Sequence, residues 1–251
     1  MNSIKDLEPN GVWKNFYSLT QIPRPSKKEA KVIAFMKAFG EGLGLETIVD
    51  AVGNIIIRKP ATPGYEDRKG VILQAHLDMV PQKNADTVHD FENDPIETYI
   101  EDGWVKAKGT TLGADNGVGA AAAMAVLESK TLEHGPIEAL FTIDEETGMT
   151  GANALESGVL KGDILINMDS ETEGELYVGC AGGIDTVGVF TPTMEAVGEG
   201  LKAYQLIVKG LKGGHSGMDI NLGRGNANKF MNTLLYRCTE NFGLRLATIN
   251  G

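Results

Sequence analysis

Three apolar runs of strand length each lead into a histidine or acidic residues, and this repeated pattern constrains the fold more than any other feature of the sequence. The runs starting at Val71, Ile137 and Ile164 lead into His76, into Asp144-Glu145-Glu146 and into Asp169. Such runs are typical of buried strands. In an open α/β sheet the carboxyl ends of the strands share one edge, where ligands bind. The sequence therefore predicts that these side chains, although distant along the chain, meet at that edge.

Helical and turn signals between these runs predict a mixed α/β domain. Ser26-Lys27-Lys28-Glu29 matches a capping box and predicts a helix that ends around residues 40–44. Asp102-Gly103 separates two short strands, as in a hairpin. The glycine-rich stretch Gly109–Gly119 gives way to an Ala-rich helix that ends near Glu128. We predict a mixed sheet with helices on both faces over residues 1–184.

The pattern changes from about residue 185 onward. We predict strands over 186–190, 203–208 and 244–249, a glycine loop around His215, and a helix from Asn226 to about Glu240. These signals are typical of an α+β unit. Residues 185–251 are therefore predicted to form the first part of a second domain.

Composition narrows the class of protein and its partners. The 251 residues are 42% hydrophobic and 23% charged, without a long apolar run, which is typical of a soluble globular protein. The net charge of −11 argues against nucleic acid and anionic membrane surfaces as partners. Only Cys180 and Cys238 are present, and the start does not match a signal peptide. These features favour a location in the reducing cytoplasm.

His76 and Asp78 are candidates for a metal site. Residues two apart on an extended chain point to the same side, and a carboxylate can fix the tautomer of a histidine that binds metal. A hydrogen-bonded structural pair is an alternative for these two residues. Asp115 likewise suits a helix N-terminus, and adjacent acids are tolerated in an exposed turn. Taken together, one histidine and several carboxylates suit Zn²⁺, Mn²⁺ or Co²⁺ in a hydrolytic site better than a structural zinc.

Longer matches resemble one family. The matching stretches are Gln-Ala-His76-Leu-Asp78-Met-Val-Pro-Gln-Lys, Thr-Thr-Leu-Gly-Ala-Asp115-Asn-Gly, Asp144-Glu145-Glu146-Thr-Gly, Asn-Met-Asp169-Ser-Glu, Gly-Cys180-Ala-Gly-Gly-Ile-Asp and Leu-Lys-Gly-Gly-His215-Ser-Gly. In this order they resemble the cytosolic aminoacyl-histidine dipeptidases (peptidase D, Xaa-His dipeptidase). That family belongs to the di-zinc superfamily of carboxypeptidase G, aminoacylases and carnosinases.

The resemblance implies a hydrolase with two zinc ions, or Mn²⁺ or Co²⁺ in their place. His76, Asp115 and Asp169 would hold one ion, and Asp115 would bridge to a second ion that Glu146 also holds. Glu145 would be the general base and Asp78 would orient His76. His215, in a lid domain over residues 185–251, would bind the substrate or the oxyanion. The Asp115-Asn116 peptide would be cis.

The resemblance also implies the substrate and the state of assembly. The substrate would be a small peptide, an Xaa-His dipeptide such as β-alanyl-histidine, and the enzyme would form a homodimer through the lid. An N-acyl amino acid deacylase of the same superfamily is the alternative.

One feature departs from the family pattern. The family takes a further histidine ligand from a segment after the lid, and this chain stops at Gly251. The sequence therefore predicts an N-terminal fragment, which would be inactive if it lacks that ligand.

Overall fold

The computed structural model describes residues 3–170, 172–180, 182, 184, 186–214 and 219–250. The chain divides into two compact units, 1–181 and 182–251. The first unit contains a 3₁₀ turn (Ile4–Asp6), helices α1 (Asn10–Thr20), α2 (Ala30–Gly42), α3 (Ala114–Glu128) and α4 (Thr150–Asn153), and strands β1 (Glu46–Val49), β2 (Ile55–Lys59), β3 (Val71–His76), β4 (Thr98–Glu101), β5 (Trp104–Ala107), β6 (Ile137–Thr142) and β7 (Ile164–Asn167). The second contains a 3₁₀ turn (Ile220–Leu222) and helix α5 (Ala227–Phe242).

Five strands form a mixed sheet in the order β1-β2-β6-β3-β7. β3 lies in parallel between β6 and β7, whereas β1, β2 and β6 pair antiparallel. β4 and β5 form a separate hairpin about Asp102-Gly103, where both residues have positive φ, as this kind of turn requires. The mixed α/β architecture predicted from the sequence is confirmed.

The three longer helices of the first unit pack on one face of the sheet. Alternation along β2 directs Ile55 and Ile57 into this core, which also contains Phe16 of α1, Met36 of α2 and Met124 of α3. All five side chains are almost completely buried. Since α1 packs on α3 and α3 packs on β3, this layer fixes the start of α3 over the central strand.

The opposite face has a smaller apolar cluster. Ile56, Ile72 and Leu140 point to this side, and Leu155 and Val159 from the segment after α4 pack against them. On the edge strand β7, Ile164, Leu165 and Ile166 are each about half exposed.

The second unit differs from its prediction in one respect. Helix α5 agrees with the predicted helix: the Asn226 side chain accepts a hydrogen bond from the Lys229 amide, and Gly243 with positive φ ends the helix. The strands predicted over 186–190, 203–208 and 244–249 are wrong, since these described residues form no strand. A strand requires a neighbour to accept its backbone hydrogen bonds, and these segments do not pair.

The division predicted at residues 184 and 185 concerns functional domains and stays a prediction. Among the described residues, no helix combines the length and the apolar character needed to cross a bilayer.

Candidate metal centre

The parallel strands bring their carboxyl ends to one edge of the sheet. His76 is the last residue of β3, Glu145 and Glu146 lie in the turn after β6, and Asp169 follows the end of β7. Asp115 is near the start of α3, at a point where the backbone is not helical. The structure thus gathers at one edge the five side chains that the sequence predicts as metal ligands or base.

The imidazole of His76 is at the centre of this group. Its Nε2 lies 3.0 Å from Asp115 Oδ1, 3.7 Å from Asp169 Oδ2 and 3.9 Å from Glu145 Oε2. The ring is 1% exposed, whereas the Asp115 side chain is 43% exposed. The bottom of the group is therefore buried, and its rim is accessible to solvent. We call His76, Asp115, Glu145, Glu146 and Asp169 the open cluster.

The open cluster contains two overlapping sets of three possible ligand atoms. One set combines His76, Glu145 and Asp169, and the other combines His76, Asp115 and Glu146. Within each set the ligand atoms lie within 4.8 Å of one another. One imidazole with several carboxylates is a donor set that suits zinc, manganese or cobalt. The residues present therefore fit divalent metal.

Distance does not separate the roles of the two adjacent glutamates, because each is a member of one set. The assignment of Glu145 as base and Glu146 as ligand therefore stays a prediction. The Asp115-Asn116 peptide bond is cis, as predicted.

Protonation in the open cluster reflects crowded negative charge. Burial, and then the nearby charge of Asp115, raises the pKa of Glu146 to about 7. Burial and a hydrogen bond with Asp115 raise the pKa of Asp169 to about 6. Burial lowers the pKa of His76, but hydrogen bonds with Asp115 and Asp78 outweigh it and raise that pKa to about 10. A bound cation would displace protons from these groups.

Asp78 lies beneath His76 and is completely buried. Its Oδ1 is 3.2 Å from His76 Nδ1, and the His76 ring also approaches the Asp78 backbone carbonyl at 3.1 Å. Its carboxylate accepts hydrogen bonds from the amides of Glu145 and Glu146 and from the Ser26 hydroxyl. Burial raises the pKa of Asp78, but the hydrogen bond with His76, together with those from the Glu145 amide and the Ser26 hydroxyl, outweighs burial and lowers the pKa to about 2. This geometry suits the predicted role of orienting His76.

Asp78 also belongs to a second acidic group with Glu29 and Asp144, which we call the closed cluster. All three residues are buried, and their oxygens lie within 4.8 Å of one another. Glu29 Oε1 accepts hydrogen bonds from the amides of Lys27 and Asp144. The Asp144 carboxylate accepts hydrogen bonds from the hydroxyls of Thr147 and Thr150. Hydrogen-bond donors of the protein therefore reach all three carboxylates, although burial still raises the pKa of Glu29.

The predicted capping box at Ser26 and Glu29 is wrong. Helix α2 begins at Ala30 with Glu29 as its N-cap, and no side chain caps it. Ser26 Oγ instead donates to Asp78 Oδ2 at 2.7 Å. Ser26 and Glu29, which matched the box, instead form hydrogen bonds with Asp78 and Asp144, just after strands β3 and β6. They do so because the candidate site lies over the start of α2.

Sequence reasoning missed Arg24. This side chain is 2% exposed and donates hydrogen bonds to the backbone carbonyls of Leu77, Asp78 and Gly113. Its position between two prolines suggested only an interrupted helix. His215, predicted to bind the substrate, lies outside the described residues.

Comparison with known proteins places these residues in a family. The model of peptidase family M20/M25/M40 matches residues 72–227. The cytosol non-specific dipeptidase of Escherichia coli (strain K12) is 52% identical over 251 residues, which is 100% of this chain and 52% of that protein. This chain thus spans about half the length of that relative.

Solved structures of peptidases are also similar to this chain. The aminoacylhistidine dipeptidase from Vibrio alginolyticus is 49% identical, with a TM-score of 0.71 over 98% of this chain and 50% of that one. The aminopeptidase PepT from Bacillus cereus is 28% identical, with a TM-score of 0.56 over 66% of this chain and 44% of that one.

Proposed function

The chain belongs to peptidase family M20/M25/M40, and we propose on that basis that it hydrolyses dipeptides, Xaa-His dipeptides among them, with the aid of two divalent metal ions. The observation that carries the proposal is the open cluster, in which two overlapping sets of donors share His76. The Vibrio alginolyticus relative is named for aminoacyl-histidine and supports the Xaa-His preference.

His76, Asp115 and Asp169 would hold one ion, and Asp115 with Glu146 would hold the other. When bound, two divalent ions lower the pKa of water and polarise a carbonyl group. Zinc is our first choice, and manganese or cobalt suits the same donors. Asp78 positions the His76 ring, so that Nε2 faces the carboxylates of the open cluster.

Glu145 would act as the general base. Its side chain is one-third exposed and its Oε2 lies 3.9 Å from His76 Nε2, so it can meet water at the accessible rim. Glu145 takes a proton from the attacking water, whose oxygen bonds to the scissile carbonyl carbon. The same carboxyl group then delivers the proton to the amine nitrogen as the C–N bond breaks. Such acid–base work contributes about 10²–10⁴-fold to the rate.

The cellular setting is part of the proposal. The Escherichia coli relative is named a cytosol enzyme, and we infer the same compartment for this protein. A small peptide substrate fits a site formed by His76 and carboxylates. A homodimer through residues 185–251 stays a prediction.

Metal analysis and hydrolysis assays test the proposal on the natural protein that contains residues 1–251. We expect zinc to bind and β-alanyl-histidine or another Xaa-His dipeptide to be cleaved. An acetylated amino acid serves as the comparison substrate, because a deacylase would cleave it. Cleavage of that compound in preference to the dipeptides would replace the proposal with a deacylase, and failure to bind any divalent metal would remove its basis.

A further inference from the structure

We propose that Arg24 is a positioning residue of the candidate metal centre, holding the loop that carries Asp115 against the strand end that carries His76 and Asp78. The inference rests on the proposed function for its activity readout. Its metal-binding readout does not depend on which bond the enzyme cleaves.

The first support is the set of acceptors. Arg24 Nη1 lies 2.8 Å from Leu77 O and 3.1 Å from Asp78 O, and Nη2 lies 2.5 Å from Gly113 O. Leu77 directly follows His76, whereas Gly113 is two residues before Asp115. One planar guanidinium therefore joins the two chain segments whose side chains meet at 3.0 Å.

The second support is the space around the guanidinium. A methyl group added at Gly113 would lie 2.6 Å from Arg24 Nη2, and one added at Gly117 would lie 2.5 Å from it. Both distances are far below van der Waals contact. The two glycines thus flank Asp115-Asn116 and leave room for the Arg24 side chain. Gly113 also has a φ of +70°, which a glycine adopts without steric cost.

The third support is the anchoring of Arg24 itself. Its backbone carbonyl accepts a hydrogen bond from the Met79 amide, and the Ser26 amide donates back to the Met79 carbonyl. The backbone of Arg24 is therefore fixed to the chain just after Asp78. The side chain reaches from this anchor to Gly113, so a shift of the Asp115 loop would break the contact with Nη2.

The fourth support is the cost of the arrangement. A buried guanidinium loses its hydration, which costs free energy of folding. An apolar side chain in its place would not have this cost. Burial lowers the pKa of Arg24 to about 10, and the charges of Asp78, Asp115 and Glu146 oppose this change. The cation thus lies in the field of the open and closed clusters. Positioning of those residues accounts for the presence of a charged group here.

Two substitutions separate geometry from charge. Arg24→Lys keeps the positive charge, but one ammonium group does not reproduce the planar fork that joins Leu77 and Asp78 to Gly113. Arg24→Met removes the charge and the fork together. Lys59→Met is the matched control, because Lys59 Nζ donates to the carbonyls of Val126 and Ser129 at the other end of α3.

The experiment measures four quantities in the natural protein: the zinc dissociation constant, the melting temperature in chelator, and kcat and KM at saturating zinc. We expect both Arg24 variants to bind zinc about 10–100-fold more weakly, as seen when groups that support metal ligands are removed. At saturating zinc, kcat should fall more than KM rises. Lys59→Met should lower the melting temperature and leave the zinc affinity of the folded protein unchanged.

Two outcomes would overturn the inference, and a third would overturn only the proposed function. Arg24 variants with reduced melting temperature but wild-type zinc affinity would make the residue merely structural. Wild-type affinity in Arg24→Lys alone would show that charge, and not geometry, matters. If the wild type binds zinc but cleaves no dipeptide, only the proposed function fails, because the affinity comparison still decides the role of Arg24.

Gly117→Ala provides a test if the Arg24 variants do not fold. It retains Arg24, but the added methyl group would lie 2.5 Å from Arg24 Nη2 and 3.0 Å from the Phe16 ring. Displacement of the guanidinium should weaken zinc binding, by less than in the Arg24 variants, whereas strain at Phe16 should lower the melting temperature. Wild-type zinc affinity in Gly117→Ala would contradict the inference.

Discussion

The open and closed clusters lie next to each other, yet they differ in how far they are buried and in how many protein donors reach their carboxylates. Asp144 of the closed cluster directly precedes Glu145 of the open one, and Asp78 touches His76. In the closed cluster, backbone amides donate to Glu29, hydroxyl groups donate to Asp144, and both kinds of group donate to Asp78. In the open cluster the pKa values of Glu146 and Asp169 are raised, so their charges lack sufficient compensation from the protein.

This difference indicates how the chain divides its acidic residues between structure and chemistry. Hydrogen bonds that stabilise a carboxylate fix it in place, and an added cation would then have to compete with them. Carboxylates with raised pKa gain most from a divalent ion. Burial also raises the pKa of Glu29 in the closed cluster, but that side chain is buried and hydrogen-bonded, so we expect a cation to bind at the accessible rim of the open cluster instead.

The largest expected effect comes from Glu145→Gln, which tests whether the open cluster contains a base as well as ligands. In the natural protein kcat should fall about 10²–10⁴-fold, because the amide accepts no proton from water. Metal content, measured by elemental analysis, should stay near the wild-type value. His76→Ala is the control, and it should contain less metal than Glu145→Gln, because it removes a metal ligand. Equal metal loss in both variants would show that Glu145 is a ligand.

Asp78→Asn should cause the largest loss of folding stability. The amide would turn an NH₂ group toward Ser26 or toward the amides of Glu145 and Glu146, which are themselves donors. We expect a decrease of about 2–4 kcal/mol in the free energy of unfolding, measured with denaturant in the absence of metal. A decrease below about 0.5 kcal/mol would place Asp78 among weakly held surface carboxylates.

Asp169→Asn is the matching change in the open cluster and should have a small effect of opposite character. Because the pKa of Asp169 is raised, its charge opposes folding of the metal-free chain, and the amide removes that charge. The free energy of unfolding should stay within about 1 kcal/mol of wild type or increase. Zinc affinity should fall. A metal-free variant as unstable as Asp78→Asn would erase the distinction between the two clusters.

The smallest effect concerns pH. The pKa values of Glu146 and Asp169 are raised to about 7 and about 6, so the folded metal-free chain binds more protons than the unfolded chain. The stability from these groups is complete below their unfolded pKa values and is lost as the pH rises through 6–7. The pKa of Asp78 is lowered to about 2, so its contribution is present above pH 4 and is lost as the pH falls through 2.

Melting temperatures between pH 5 and 8 measure this effect. In chelator the melting temperature should fall by a few degrees over this range, and Glu146→Gln should reduce the fall. His76, whose pKa is raised from 6.5 to about 10, adds to the fall above pH 6.5, and this part should remain in Glu146→Gln. With zinc bound the fall should disappear, because the ion replaces the protons. A fall of equal size with and without zinc would contradict the link to the open cluster.

The sequence predicts strands β3, β6 and β7 because each of them begins in a run of mostly apolar residues. The parallel order of β3, β6 and β7 then brings His76, Glu145 and Asp169 together without further information. Local signals fail where a side chain bonds to a distant segment. Ser26 matches a helix cap, but its hydroxyl binds Asp78, 52 residues away.

Two further errors have physical causes of their own. Arg24 carries no local signal, since its acceptors at Leu77 and Gly113 are 53 and 89 residues away. In the second unit the apolar alternation around 186–190 predicts a strand, but Val187, Val189 and Phe190 are more than four-fifths exposed. Alternation reports a preference for extended backbone, and pairing requires a partner strand.

The order of the parallel strands also has a kinetic consequence. His76 and Asp169 are 93 residues apart, so they approach each other only after β3 has paired with β7. Contacts of such sequence separation form late in folding, because a long loop must first close. An unfolded chain therefore presents no preformed chelate. A cation that binds only the native protein would slow unfolding and leave the rate of folding nearly unchanged.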